Sequence, residues 1–432
     1  MAKMKIMFVL LLATVMLSAC GGGNNAASGG NGAATPPAKG NEPAPQKQEE
    51  PVKLVLYDAF NADTEDYTNT MYVNPVKKKY PYITVEVVQP KVKKLEDIIV
   101  TGDQIDLIVD NVIRTNQVEE LGLNVDMGAM AKQNNFDLKR LEQPTLNMIQ
   151  SFNSTKKLIG IPYKGGFMAL YYNKDIFDKF GVPYPKDDMT WDQVIDLAKK
   201  LTRQQDGNQY IGFNTSLPYI ASSLTNNFVD AKTGKANLST PEWKQGYEVF
   251  SQLQAIQGNK DVGLPAFSKD QNAAMMTSQN TLITLKDAKG LNWDLVTFPK
   301  FAGKPIQGAG SARGMFITST GKHQDAAFKV IESTTSDEAQ VILAGQCGMP
   351  EVKSPSTQSG LCSAFPEMKG KNYAATFKFT PKWPENPTEY DQPANTIVGK
   401  HADDLAKGTD INTVIRQTEE EINQKIEELR KK

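Results

Sequence analysis

Gly21 to Glu50 is a run of 30 residues in which no aliphatic side chain is larger than alanine. Such a stretch buries too little apolar surface to offset the entropy of ordering it. The fold therefore belongs to the chain beyond residue 50, a length suited to about two ordinary domains. As a flexible linker the run would span roughly 30 Å on average, from the ~5–6 Å × √n rule. Ahead of it, Lys3 and Lys5 precede an apolar segment, Ile6 to Leu17, and the small residues Ser18 and Ala19 lead to Cys20. A basic start, a short apolar centre and small residues at the exit predict an export signal. The apolar segment falls short of the ~20 residues a membrane-spanning helix needs.

Leu17-Ser18-Ala19-Cys20 resembles the bacterial lipobox. The resemblance implies a signal peptide over 1–19, a lipid on the Cys20 thiol and a disordered tether over 20–51. The protein would then work outside the cytoplasm, anchored to the bacterial cell membrane. An ordinary signal peptide with an incidental cysteine is the alternative. Each buried lipid CH₂ contributes ~0.8 kcal/mol, so lasting attachment takes more than one acyl chain.

Composition narrows the partners. Apolar residues make up 40% and charged residues 22%, and the formal net charge is −1, so no bulk field draws the chain to nucleic acid. Lys77-Lys78-Lys79, the densest lysine run, reads as a solvated helix face. With Cys20 set aside, Cys347 and Cys362 remain, a pair suited to a disulfide in an oxidising compartment. Closing that loop of ~15 residues would stabilise by roughly 3 kcal/mol. Two buried or free thiols are the alternative. Neither cysteine stands in a metal motif.

Lys53–Tyr57, Ile83–Val88 and Ile105–Val109 have the composition of strands, with a helical stretch ending near Tyr80 between the first two. Strands separated by helices predict an α/β layer with a largely parallel sheet. Further on, Thr190-Trp191-Asp192-Gln193 predicts a capping box, and Thr240-Pro241 a capped helix start. Thr335-Ser336-Asp337-Glu338 predicts a second box, opening a helix that ends at Gly345. Asp410 to Lys432 carries an apolar stripe of Ile411, Val414, Ile415, Ile422, Ile426 and Leu429, a helix to pack on a lobe.

Signals for chemistry are sparse. His323 and His401, the two histidines, sit in polar stretches and are expected at the surface. There is no Gly-x-Ser-x-Gly elbow, no His-Glu-x-x-His and no phosphate-binding Gly-x4-Gly-Lys loop. Gly308 to Gly314 misses a dinucleotide fingerprint by one position. Two carboxylates distant in sequence would leave no local trace, so a glycan hydrolase stays open at this point.

Residues 156–202 carry the decisive pattern. Lys157-Leu158-Ile159-Gly160-Ile161-Pro162-Tyr163 is followed by Leu170-Tyr171-Tyr172-Asn173-Lys174-Asp175-Ile176-Phe177 and Phe180-Gly181-Val182. Thr190-Trp191 and Ala198-Lys199-Lys200-Leu201-Thr202 complete it. The set resembles the extracellular solute-binding proteins of ABC importers, the family that includes maltose-binding and other carbohydrate-binding proteins. Gly102 to Ile108 and Phe267 to Met275 resemble two further family elements. The first has Gln104 and Ile105 where proline is usual; the second lacks its glycine and is one residue longer.

That resemblance implies an α/β, two-lobe periplasmic-binding-protein-like fold with discontinuous lobes and an interlobe ligand cleft. Lobe one would take 52–162 and 297–335, and lobe two 163–296 and 336–432. It implies a non-catalytic, monomeric substrate-binding component with no cofactor. Such a component captures a sugar or oligosaccharide by hinge closure and delivers it to a membrane permease driven by a partner ATPase. A sensory or adhesion lipoprotein on the same fold is the alternative, since both would use a closing cleft.

Ligands in open α/β sheets sit beyond the carboxyl ends of strands. That nominates Asp58, Phe60, Asn61 and Asp63 in the first loop, and Asp110 and Asn111 after the third strand. Family position adds Tyr163, Lys164, Tyr219, Gly310, Ser311 and Arg313; Trp383, between two prolines, is a further candidate ring. Rings would cover a sugar's C–H faces while carboxylates and amides bond its hydroxyls. The alternatives are plain: Asp and Asn also cap turns, and Tyr219 and Trp383 also suit packing. Ser278-Gln279-Asn280-Thr281 lacks the aromatic residue the family often carries there, and Lys164 and Arg313 would suit an acidic sugar.

Overall fold

The computed structural model describes residues 49–431. The expected signal segment, Cys20 and the expected tether to residue 48 lie outside the described residues; Glu49, Glu50 and Pro51 are exposed and in no regular element. The strands begin with β1 (Val52–Asp58), β2 (Ile83–Val88), β3 (Leu107–Asn111), β4 (Ile161–Gly165) and β5 (Met168–Asn173). Two short hairpins come next, β6 (Arg203–Gln205) with β7 (Asn208–Tyr210) and β8 (Val229–Asp230) with β9 (Lys235–Ala236). The rest are β10 (Met275–Gln279), β11 (Trp293–Thr297), β12 (Gln307–Ala309), β13 (Arg313–Ile317), β14 (Met349–Pro350) and β15 (Thr380–Lys382).

A six-stranded sheet has the order β14-β4-β13-β3-β1-β2. β1 lies parallel to β2, with Val52 opposite Ile83, and to β3, with Leu56 opposite Leu107. β13 is antiparallel to both β3 and β4, and β14 is antiparallel to β4. The expected largely parallel sheet is thus a mixed one. The late strands enter from the end at which the early strands leave, because the chain returns to this sheet from a second one. That second sheet, β10-β5-β11, is antiparallel throughout. β3 starts two residues later than its β-branched run. The Asp106 carboxylate accepts the Val55 N–H (2.8 Å), a bond the ladder would otherwise make.

Each sheet has its own core. Leu54, Tyr72, Leu107, Ile161, Tyr163 and Phe328 pack about the first, with Tyr57, Ile108 and Phe316 in a smaller cluster. Tyr171, Trp191, Trp243, Phe250, Phe267 and Phe298 pack about the second. Two cores make two α/β lobes. The chain passes between the sheets from Gly165 to Met168, from Thr297 to Arg313, and a third time past β14, where Val352 still joins the first core and Leu361 joins the second. The resemblance assigns 336–432 to lobe two, yet Met349 and Pro350 pair with β4, and Leu343 and Val352 join the first core.

Local signals fix the helices. Thr190 Oγ1 accepts from Gln193 N–H while Gln193 Oε1 accepts from Thr190 N–H, a complete capping box for Trp191–Leu201. Thr240 caps Pro241–Gln254. For Asp337–Gly345 the cap is Ser336, one residue later than expected; its Oγ accepts from Ala339 N–H, and the expected Thr335–Glu338 box does not form. Asp410 caps Ile411–Leu429, which buries Val414, Ile415, Ile422 and Ile426. His401, expected at the surface, is part-buried, bonded to Glu421 (2.7 Å) and Asp404 (3.3 Å). Cys347 and Cys362 are joined in a disulfide. Among the described residues no helix is long and apolar enough to cross a membrane.

Candidate functional site

A cleft of about 1610 Å³ is lined from both lobes. From the first come Phe60, Asp110, Asn111, Asn116, Gln117 and Phe152. From the second come Asn214, Thr215, Ser216, Tyr219, Thr277, Ser278 and Gln279. The passages between the sheets add Gly310 and Ser311, and Trp383 stands just past β15. The first-lobe residues Phe60, Asp110 and Asn111 lie at the carboxyl ends of β1 and β3, where open α/β sheets hold ligands.

Asp58 ends β1 wholly buried. Its Oδ1 accepts from Phe60 N–H (3.2 Å) and its Oδ2 from Gln89 Nε2 (3.1 Å); Gln89 Nε2 also donates to the Phe60 carbonyl (2.9 Å). Burial first, and then the charge of Asp63, raise the Asp58 carboxyl well above the carboxylate range, with Arg313 opposing. Asp58 therefore shapes the first loop from beneath and is not on the cleft wall. Asp63 is ion-paired with Arg313, whose guanidinium stacks on the Phe60 ring (3.6 Å to its centroid). Asn61 accepts from Lys91 N–H at the exposed edge of this loop.

Tyr163 and Lys164 are drawn into the same support. The Tyr163 ring is fully buried, its hydroxyl 2.7 Å from that of Tyr72. Lys164 donates to the Tyr67 hydroxyl (3.1 Å) and lies over that ring. Neither lines the cleft, so Tyr163 offers no face to a ligand. Of the thirteen nominated residues the cleft wall holds Phe60, Asp110, Asn111, Tyr219, Gly310, Ser311 and Trp383. Asp58, Asn61, Asp63, Tyr163, Lys164 and Arg313 lie outside the wall.

Within the wall, Asp110 accepts from Asn111 N–H (2.7 Å) and faces Arg114 at 3.7 Å. Burial raises its pKa against the opposing pull of Arg114. Trp383 lies flat on Gly310: a Cβ at that glycine would come within 2.6 Å of the indole ring. Its indole N–H is buried with no partner among the described residues. Tyr219 sits on the short helix Leu217–Ser222, half-buried against the second core.

Several wall residues escaped sequence reasoning: Asn116, Gln117, Phe152 and the run Asn214-Thr215-Ser216. Asn116 and Gln117 stand on the short helix Thr115–Glu120, Phe152 ends the helix Gln143–Ser151, and Asn214 to Ser216 form a polar connecting segment, so no common sequence signal marks them. Ser278 and Gln279, noted in the sequence only for lacking a ring, form part of the wall. The arrangement is rich in amides and hydroxyls, which both donate and accept, with the Phe60, Phe152, Tyr219 and Trp383 rings among them. It suits reversible hydrogen bonding to a polar molecule. Among the described residues no group of three His, Cys, Asp or Glu side chains is placed to hold a metal ion.

A family profile described as bacterial extracellular solute-binding protein matches residues 55–341. Solved structures give the same answer for the fold. MalE, the sugar-binding protein from Xanthomonas citri, aligns with TM-score 0.68 at 15% identity, over 88% of this chain and 98% of its own. The ABC substrate-binding protein Lmo0181 from Listeria monocytogenes, in complex with cycloalternan, aligns with TM-score 0.67 at 19% identity, over 87% and 98%. A sugar transporter protein from Rhizobium etli in an open conformation aligns with TM-score 0.67 at 20% identity, over 86% and 99%. No curated protein matches the chain in sequence.

Proposed function

The chain belongs to the bacterial extracellular solute-binding protein family, whose members bind without catalysis, and from that premise we propose that it captures a sugar or oligosaccharide. Closure of the lobes holds the ligand, and the closed form is delivered to a membrane permease driven by its ATPase. The observation that carries this reading is the cleft wall: amides and hydroxyls at Asn111, Asn214, Thr215, Ser278 and Gln279, with rings at Tyr219 and Trp383. Contacts made from both lobes favour the closed state, and that difference in binding energy drives closure. The lobes are divided by the three chain passages near 165–168, 298–312 and 351–361.

We assign ligand contact to Phe60, Asp110, Asn111, Tyr219, Gly310, Ser311 and Trp383. Asp58, Asp63, Arg313, Tyr163 and Lys164 hold the first loop that presents Phe60, and Asn61 its outer edge. Arg313 and Lys164, the two cations that would suit an acidic sugar, are engaged by Asp63 and Tyr67. The wall's own cations, Arg114, Lys156 and Lys382, are outnumbered by its acids, Glu96, Asp110, Glu120, Asp261, Glu389 and Asp391, so the ligand is read as neutral. The cleft exceeds the ~300–1000 Å³ of ordinary small-molecule pockets, which favours more than one sugar unit. A lipid on Cys20, with residues 20–51 as tether, keeps the monomeric protein beside its permease.

A thermal-shift panel of mono- and oligosaccharides, uronates, polyols and peptides tests the reading. A ligand that binds only the native state stabilises it by about 2.7 kcal/mol at 100 Kd. A neutral oligosaccharide should shift the transition most. Shifts confined to peptides would overturn the ligand class, and shifts confined to uronates would overturn its neutrality.

A further inference from the structure

All three passages of the chain between the two sheets meet at the wall of one small cavity, about 20 Å³ in volume. Gly165 and Gly166 lead out of β4, Ser311 leads into β13, and Glu351, directly after Met349 and Pro350 of β14, opens the third passage. The fit is close: a Cβ on Gly166 would approach the Ser311 carbonyl oxygen to 2.6 Å. Gln340 ties the passages together. Its Oε1 accepts from Glu351 N–H (2.9 Å) and Val352 N–H (3.2 Å). Its Nε2 donates to the carbonyls of Tyr163 (2.9 Å) and Thr334 (3.1 Å).

Glu351 is 1% exposed, and neither of its carboxyl oxygens makes a well-formed hydrogen bond among the described residues; the Glu142 N–H and the Thr145 hydroxyl are the donors beside it, and their pull is weaker than the effect of burial. Two charged groups share the cavity wall, Glu142 and Lys353, and they are paired with each other at 3.1 Å. Lys353 is thereby neutralised, and Glu142 repels a second negative charge. A cavity of this size holds about one water, too little to hydrate an ion. An ionised carboxylate without a partner or hydration is strongly disfavoured, so it either keeps its proton or forces its surroundings apart.

We propose that Glu351 makes the joint between the lobes pH-sensitive: the joint is tight while this carboxyl is protonated and loosens when the proton leaves. Burial holds the proton up to about pH 8, with Glu142 pushing the same way and Lys353 opposing. Ionisation is relieved by parting β14 from β4, or by drawing Lys353 away from Glu142. Ser311 lines both this cavity and the ligand cleft, so the change reaches the cleft wall. The proposal holds whatever the ligand is.

Hydrogen exchange on the full chain without ligand tests it, at about pH 6 and about pH 9.5, corrected for the intrinsic pH dependence of exchange. Peptides covering residues 161–166 and 347–353 should lose about tenfold in protection at the higher pH, equivalent to about 1.4 kcal/mol. Glu351→Gln, isosteric with the protonated acid, should show equal protection at both. Glu142→Gln frees Lys353 to pair with the ionised Glu351, so the transition should move to lower pH and the loss of protection should shrink. Unchanged protection in the unmodified protein, a Glu351→Gln variant that still loosens, or an unmoved transition in Glu142→Gln would each overturn the proposal.

Discussion

Arg313, part-buried, and Glu351, fully buried, are ionisable side chains close to where the lobes join, and their surroundings treat them in opposite ways. Arg313 has the Asp63 carboxylate as partner and the Phe60 ring beneath it, so its charge is matched in place. Glu351 has an unpaired carboxyl in a small cavity whose nearest cation is already engaged. A fold tolerates a charge taken out of water only when a partner of opposite sign comes with it. The first region is therefore a fixed strut under the cleft, and the second is a group that stays neutral and answers to pH.

The strongest way to break the contrast is to make Arg313 resemble Glu351. Asp63→Ala leaves the guanidinium without its partner and should destabilise by about 3–5 kcal/mol in urea denaturation. Replacing both members, Asp63→Leu with Arg313→Met, should regain most of that loss, because no buried charge is left over. A double variant as unstable as the single one would show that the pair matters for shape and not for charge balance.

Next in size is the pH dependence of Glu351. Its folded value of about 8 stands above the ordinary 4.5, so the folded chain keeps a proton that the unfolded chain has lost. The stabilisation is complete below pH 4.5, fades as pH rises, and is gone above about 8. Relative to Glu351→Gln, the unmodified protein should lose stability across that window by at most about 1.4 kcal/mol per pH unit. Parallel stability–pH curves for the two proteins would remove Glu351 from the account.

A smaller effect is expected at the cleft wall, where neither charge acts. Gly310→Ala drives a methyl into the Trp383 indole and should destabilise by about 1–3 kcal/mol. The emission of Trp383 should change with it; unchanged emission would mean that the ring does not rest on this glycine. Smallest is Thr190→Ala, which removes half of a capping box in the second lobe and should cost about 1 kcal/mol. A pH-independent loss of that size gives the scale for a purely local change.

Local structure was largely legible. The β-branched runs of β1 and β2, the Thr190 box, the Thr240-Pro241 start and the Asp410 helix all formed where their residues predict. The misreadings share a cause. β3 began two residues late because the Asp106 side chain took a ladder bond from another strand. The first sheet became mixed because β13 and β14 enter it after an excursion through the other lobe. The candidate site was legible in part. Asp110, Asn111 and Phe60 stand at strand ends and lie on the cleft wall, whereas Tyr163, nominated by family position, is core.

The chain alone determined which segments become helices and strands. Those outcomes depend on caps, periodicity and turn residues within a few positions of one another. Only the tertiary structure decided which polar groups meet the cleft, which cation is matched and which acid is left unpaired. Asp63 meets Arg313 across 250 positions, and the cavity around Glu351 collects residues from 142, 165, 311 and 351. Burial and electrostatic pairing arise from surfaces that exist only once the two sheets have folded and the three passages have come together, so no local pattern encodes them.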